Sequence, residues 1–113
     1  MAVMTTVLTE FSDKDNSRVY TLVGHTTSVS KQLIQTRKVP VGNQVTIEDK
    51  VIVSLSTLDA AGAVMPQKCS ITITVARPVG HTAADMTSVL AIARDVVAGD
   101  EFTNTVTTQE YLI

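Results

Sequence analysis

The sequence predicts an α+β fold: an antiparallel β-sheet with an N-terminal β-hairpin and a C-terminal helix packing across a dimer partner. Three observations predict it. Thr, Val and Ile supply 41 of the 113 residues, and such χ1-restricted side chains suit a pleated, half-buried surface. Runs of two-residue alternation fill the first 77 residues, punctuated by polar turns and Pro/Gly breaks. A stripe of helical period then follows, so strands come first and a helix last, the order of an α+β domain.

The elements follow in order. Residues 3–11 (VMTTVLTEF) alternate, and the polar cluster from Ser12 to Ser17 reads as a turn in which Asx and Ser side chains bond their own backbone. Residues 18–26 resume the alternation, giving a hairpin over 3–26. A third run, 31–39, stops at Pro40, and Val41-Gly42-Asn43 forms a loop. A fourth strand covers Thr46 to Leu58, and Asp59 to Pro66 connect it onward. The fifth, 67–77, alternates most regularly, with Cys69, Ile71, Ile73 and Val75 on one face and Lys68, Ser70, Thr72 and Thr74 on the other. Pro78-Val79-Gly80 ends it. Met86, Val89, Leu90, Ala93, Val96 and Val97 then mark a helix over 83–98. Thr82 is its N-cap, Asp85 favours the positive end of its dipole, and Gly99 is set at C′. The tail, residues 99–113, reads either as extended chain, given Thr105 to Thr108, or as a short second helix. With no linker, repeat or low-complexity segment, residues 1–113 are expected to form a single domain.

One helix does not cover such a sheet. Sixteen helical residues span about 24 Å at a width of roughly 10 Å, whereas five strands make a sheet roughly 20–24 Å wide. Only Phe11, Tyr20, Phe102 and Tyr111 are aromatic, too few to close the gap. A homodimer in which each helix packs on the neighbouring subunit's sheet is therefore expected.

Catalysis finds no foothold. His25 and His81 belong to no ligand-spaced pair and read as solvated turn histidines; Cys69, on an apolar strand face, reads as a small core hydrophobe. The pairs Glu48-Asp49 and Asp100-Glu101 are adjacent, so in a strand their carboxylates diverge, and they read as turn or cap residues. No phosphate-binding glycine loop occurs, and no metal, cofactor or small-molecule substrate is expected. The longest apolar runs fall far short of a membrane span, and the N-terminus lacks the basic region and apolar core of a secretory signal.

Net charge is −2, but residues 31–77 carry +3 and residues 78–113 carry −4. The polar face of the fifth strand (Lys68, Ser70, Thr72, Thr74) continues onto the fourth through Lys50, Ser54 and Ser56. Cations can meet phosphates there and hydroxyls can meet base edges, the chemistry of RNA recognition. The plainer reading is an ordinary solvent-facing sheet, and the scarcity of aromatics argues against a base-stacking platform. Two functions thus stand: a sheet that binds RNA, or a small cytoplasmic dimeric binding or scaffold domain with no nucleic-acid role.

Taken together, the segments resemble the coat proteins of single-stranded RNA bacteriophages, the levivirus group. The resemblance spans nearly the whole chain. It rests on the hairpin, on Gln35-Thr36-Arg37-Lys38-Val39-Pro40, and on the strand pair 50–58 and 67–77 ending Val75-Ala76-Arg77-Pro78. It continues through Leu90-Ala91-Ile92-Ala93-Arg94-Asp95, Gly99-Asp100-Glu101-Phe102 and Thr107-Thr108-Gln109-Glu110-Tyr111. This chain is shorter than better-known members, shows five strands rather than a hairpin plus five, and lacks an aromatic on the polar face.

The resemblance implies a dimer whose sheets join into one, helices that interlock between subunits, and an icosahedral shell around the genome, assembled in the bacterial cytoplasm. It implies that the inner sheet face binds single-stranded RNA, including a translational-operator hairpin. By position, Lys50, Ser54, Ser56, Lys68, Ser70, Thr72 and Thr74 match the RNA-facing strand positions, with Arg37 and Lys38 beside them. Met86, Val89, Leu90, Ala93 and Val97 match the helix contact of the dimer, and Val39 to Gln44 a loop at symmetry axes.

Overall fold

A computed structural model describes residues 4–38 and 46–113, and the expected loop from Val39 to Gln44 lies outside them. The chain divides into two compact units, Met1–Pro78 and Val79–Ile113.

The first unit is a five-stranded antiparallel sheet in chain order: β1 (Thr9–Lys14), β2 (Ser17–Thr21), β3 (Lys31–Lys38), β4 (Thr46–Leu58) and β5 (Val64–Pro78). The alternating β-branched runs thus form the expected sheet, with β4 at its expected bounds. The hairpin differs from expectation. Its strands are β1 and β2, residues 4–8 are not strand, and the turn narrows to Asp15-Asn16. Asn16 takes the left-handed conformation (φ 60°), which its short polar side chain tolerates. The register slips between Glu10 and Ser12, leaving Phe11 as an extra residue. This bulge breaks the single alternation read over residues 3–11 and lets Ser12 to Lys14 continue as strand.

The hairpin tip is tied to β3. Arg37 donates its backbone N–H to the Asn16 carbonyl (2.9 Å) and its Nε to Asn16 Oδ1 (3.1 Å). Between β2 and β3, His25 Nδ1 accepts the Lys31 N–H (3.0 Å), so this turn histidine has a structural partner. Between β4 and β5, Asp59 Oδ1 accepts the N–H groups of Ala61 and Ala63 (2.9 and 3.0 Å), and Gly62 takes φ 84°. Three residues expected in that connection, Val64, Met65 and Pro66, belong to β5 instead. Pro66 is tolerated because β5 is an edge strand and the ladder is irregular between Ser56 and Leu58.

The second unit is helical. α1 (Ala83–Ala98) has its expected bounds, and Thr82 Oγ1 accepts the Asp85 N–H at 3.3 Å as the N-cap. Gly99, expected at C′, is the residue that caps α1; it is extended (φ −76°, ψ 154°) and opens α2 (Asp100–Thr108). The tail is therefore largely helical. Asp100 and Glu101 complement the dipole in its first turn, and Gln109 closes it at φ 59°. The hydroxyls of Thr105, Thr107 and Thr108 bond back to the carbonyls four residues earlier, so these side chains satisfy their donors within the helix.

No described residue is buried in the single chain. Ile71 and Ile73 are each 50% exposed, and Val89 and Leu90 of the α1 stripe 58% and 48%. A chain that is 44% hydrophobic thus leaves its strand and helix stripes accessible, as the covering estimate expected.

Candidate nucleic-acid interface

Residues directly opposed in an antiparallel pair share a face, so the register sorts the strands. On one face, β5 sets Thr74 opposite Lys50, Ser70 opposite Ser54 and Lys68 opposite Ser56. Thr72 lies opposite Ile52, on the same face. All seven hydroxyl and lysine positions expected on this surface are therefore together. The neighbouring β3 adds Gln32 opposite Ser54, Thr36 opposite Lys50, and Lys38 opposite Glu48.

Arg37 does not join them. It lies opposite Asp49, on the other face, and bonds to the hairpin tip. Neighbours in a strand point to opposite faces, and the register decides that Lys38 rather than Arg37 joins the hydroxyls.

The polar face also carries a feature missed in the sequence. Val19, Ile34 and Ile52 line up across β2, β3 and β4, with Thr72 next in the row. These half-buried side chains give the surface an apolar centre between its hydroxyls. Lys50 Nζ stands 3.5 Å from Glu48 Oε1, an exposed pair that leaves Lys50 accessible to a competing anion. Ser56 Oγ accepts the Ser30 N–H (3.0 Å), which fixes its position while its own proton stays available.

The opposite face gathers Leu33, Val51, Val53, Leu55, Cys69, Ile71, Ile73 and Val75. Charged pairs flank it. Arg77 Nη2 lies 2.6 Å from Asp49 Oδ2, with both side chains 27% exposed, and Arg18 lies 3.4 Å from Asp13. Asp49 is thus an ion-pair partner rather than a turn carboxylate, and adjacent Glu48 points to the other face, as expected for neighbours in a strand. The Tyr20 hydroxyl, and then the Asp13 carboxylate, raise the Arg18 pKa above its ordinary value. Cys69, expected as core filler, is exposed in the single chain.

Near the hairpin tip, Asp13, Lys14, Asp15, Asn16, Arg18 and Arg37 help line an open depression of about 380 Å³ with mixed charges. Among the described residues, no three His, Cys, Asp or Glu side chains group to hold a metal, and no helix is long and apolar enough to cross a membrane.

This arrangement has counterparts among solved structures. A chain of the virus-like particle of Wenzhou levi-like virus 4 superposes with a TM-score of 0.77 at 15% identity, covering 97% of this chain and 80% of that one. The virus-like particle of Beihai levi-like virus 32 gives 0.74 at 16% identity, covering 96% and 89%. That of bacteriophage AVE019 gives 0.72 at 11% identity, covering 98% and 93%. The chain has the levi-like coat-protein fold. At these identities the levi-like likeness is one of fold. No family model matches the sequence, and no curated protein matches it. The levi-like fold was legible in the order and spacing of short segments, and it is in backbone arrangement that the likeness lies.

Proposed function

We propose that this protein is a capsid subunit that forms a homodimer, assembles into an icosahedral shell and packages single-stranded RNA against its polar sheet face. The observation that carries the reading is the levi-like fold, shared over nearly the whole chain with subunits of virus-like particles. Two features of this chain support its finer parts. Ile71 and Ile73 of the apolar sheet face and Val89, Leu90 and Val97 of the α1 stripe, which Met86 and Ala93 complete, are exposed in a single copy, and a second copy supplies their cover. Lys38, Lys50 and Lys68 stand among Ser54, Ser56, Ser70, Thr72 and Thr74 on the other face, matching a polyanion whose bases offer hydrogen-bond partners. Arg37 is left out of this surface. An operator hairpin, gripped by the same face to repress translation, is part of the proposal; hydroxyls rather than aromatic stacking then read its loop.

Expression of the chain alone in bacteria tests the reading. The expected outcome is a large species by size exclusion that images as closed, uniform shells. A dimer-sized peak free of nucleic acid across a range of salt concentrations contradicts it and favours a small binding domain.

A further inference from the structure

The connection between β2 and β3 is closed by a side chain where a strand ladder closes with a carbonyl. Leu22 donates its N–H to the Lys31 carbonyl (2.9 Å), the next rung beyond the pair Thr21 and Gln32. The Leu22 carbonyl, the regular acceptor for the Lys31 N–H, accepts the N–H of His25 instead (3.1 Å). His25 Nδ1 takes the Lys31 N–H in its place (3.0 Å). Within the connection, Thr26 donates its N–H to the Val29 carbonyl and its Oγ1 accepts the Val29 N–H, both at 2.9 Å.

This closure reaches the polar sheet face through one peptide group. The Lys31 N–H and the Ser30 carbonyl belong to the same planar unit, so a tilt at one end moves the other. His25 holds the N–H end, and the carbonyl end accepts the Ser56 N–H (2.8 Å). Ser30 also donates its own N–H to Ser56 Oγ (3.0 Å). Ser56 stands opposite Lys68 on the polar face.

An imidazole accepts at Nδ1 only when it is neutral with its proton on Nε2. Once protonated, both nitrogens are donors, and the Lys31 N–H then faces another N–H. Around the ring, β1 contributes Phe11, its ring centroid 6.2 Å away, with Glu10 as the adjacent carboxylate in that strand. From β3 comes Lys31, whose ammonium lies beside Gly24.

We propose that His25 is a positioning residue for the RNA-facing surface: its neutral ring holds the Ser30–Lys31 peptide, and through it Ser56, and proton uptake releases that corner of the face. This rests on the RNA reading above and adds to it a residue and a pH dependence. The tie is present while the ring is neutral and is lost as the pH falls.

His25→Asn and His25→Leu in the full-length chain test it. Asn sets Oδ1 where Nδ1 stands and takes up no proton between pH 5 and 7.5, whereas Leu offers no acceptor. Hydrogen exchange of the segment 26–33, read by mass spectrometry as protection relative to unstructured chain, is expected to fall about fivefold in the native protein from pH 7.5 to pH 5, the weight of one hydrogen bond. His25→Asn is expected to keep its protection at both pH values, and His25→Leu to lack it at both. Where His25→Leu does not fold, the comparison of native protein with His25→Asn carries the test. Affinity for single-stranded RNA is taken as the ratio of native protein to His25→Asn, so that the contributions of His81 and the carboxylates cancel. That ratio is expected to fall roughly threefold over the same interval. Protection with the same pH dependence in His25→Asn as in the native chain overturns the switch. The expected exchange pattern with a constant affinity ratio overturns the link to Ser56 and leaves the RNA reading standing. The expected exchange pattern in protein that binds no RNA at either pH overturns the RNA reading, and with it the role of His25 in that surface.

Discussion

At the scale of the residue, Arg37 and Lys38 show what patterning conveys and what it leaves out. Both lie in the segment Gln35 to Pro40, and composition alone treats them as equivalent cations. The ladder sets Lys38 opposite Glu48 among the hydroxyls and Arg37 opposite Asp49 on the apolar side. The strict alternation of β5 made its two faces legible, because a covered face and a wetted face demand different side chains. β3 carries Leu33 and Ile34 side by side, so its faces are fixed only by pairing with β2 and β4. This yields a prediction. Lys50→Ala with Lys68→Ala is expected to lower the RNA content of the particles and leave the dimer intact. The slope of log affinity against log salt for single-stranded RNA should fall by about 1.4, since each lost phosphate contact contributes about 0.7. Arg37→Ala is expected to leave that slope unchanged. Affinities measured over a salt series, with sedimentation to confirm the dimer, check both variants.

Among the elements, α1 was readable to its ends because several signals agree: the apolar stripe, the capping hydroxyl of Thr82 and the carboxylate of Asp85. α2 was open to two readings because its Thr-Val-Thr-Thr run opposes its dipole-matched Asp100-Glu101 start. The helical reading holds, with the threonine hydroxyls bonded to carbonyls one turn back, an arrangement that composition does not reveal. The hairpin bounds were displaced for a related reason, since the extra residue Phe11 interrupts any single alternation. At this scale, Thr82→Ala is expected to cost about 1 kcal/mol of stability. Denaturant titration followed by circular dichroism checks it, with both proteins at the same concentration so that dimer dissociation does not enter the comparison. Leu90→Asp with Val97→Asp, on the stripe proposed to meet a second copy, is expected to convert dimers to monomers while the circular dichroism spectrum stays native. Retention of the dimer moves that contact off α1.

For the whole molecule, the sum of charges misleads where their arrangement informs. A net charge of −2 suits a nucleic-acid binder poorly, yet residues 31–77 carry +3, and Lys38, Lys50 and Lys68 share one sheet face. The shortage of covering mass, estimated from helix length and sheet width, matches a chain in which no described residue is buried. Both features suit a subunit whose core is completed by a second copy and whose polar face meets a polyanion. The central claim is that this one chain builds a shell around RNA. Sedimentation velocity of nuclease-treated, purified protein recorded at 260 and 280 nm tests it most directly. With two Tyr and no Trp, the protein absorbs weakly at 280 nm, so enclosed RNA dominates the signal. The account predicts one fast boundary with coincident absorbance at both wavelengths and a 260 nm excess that persists until the shell is opened. A slow boundary of dimer or monomer size, carrying protein absorbance alone, contradicts it.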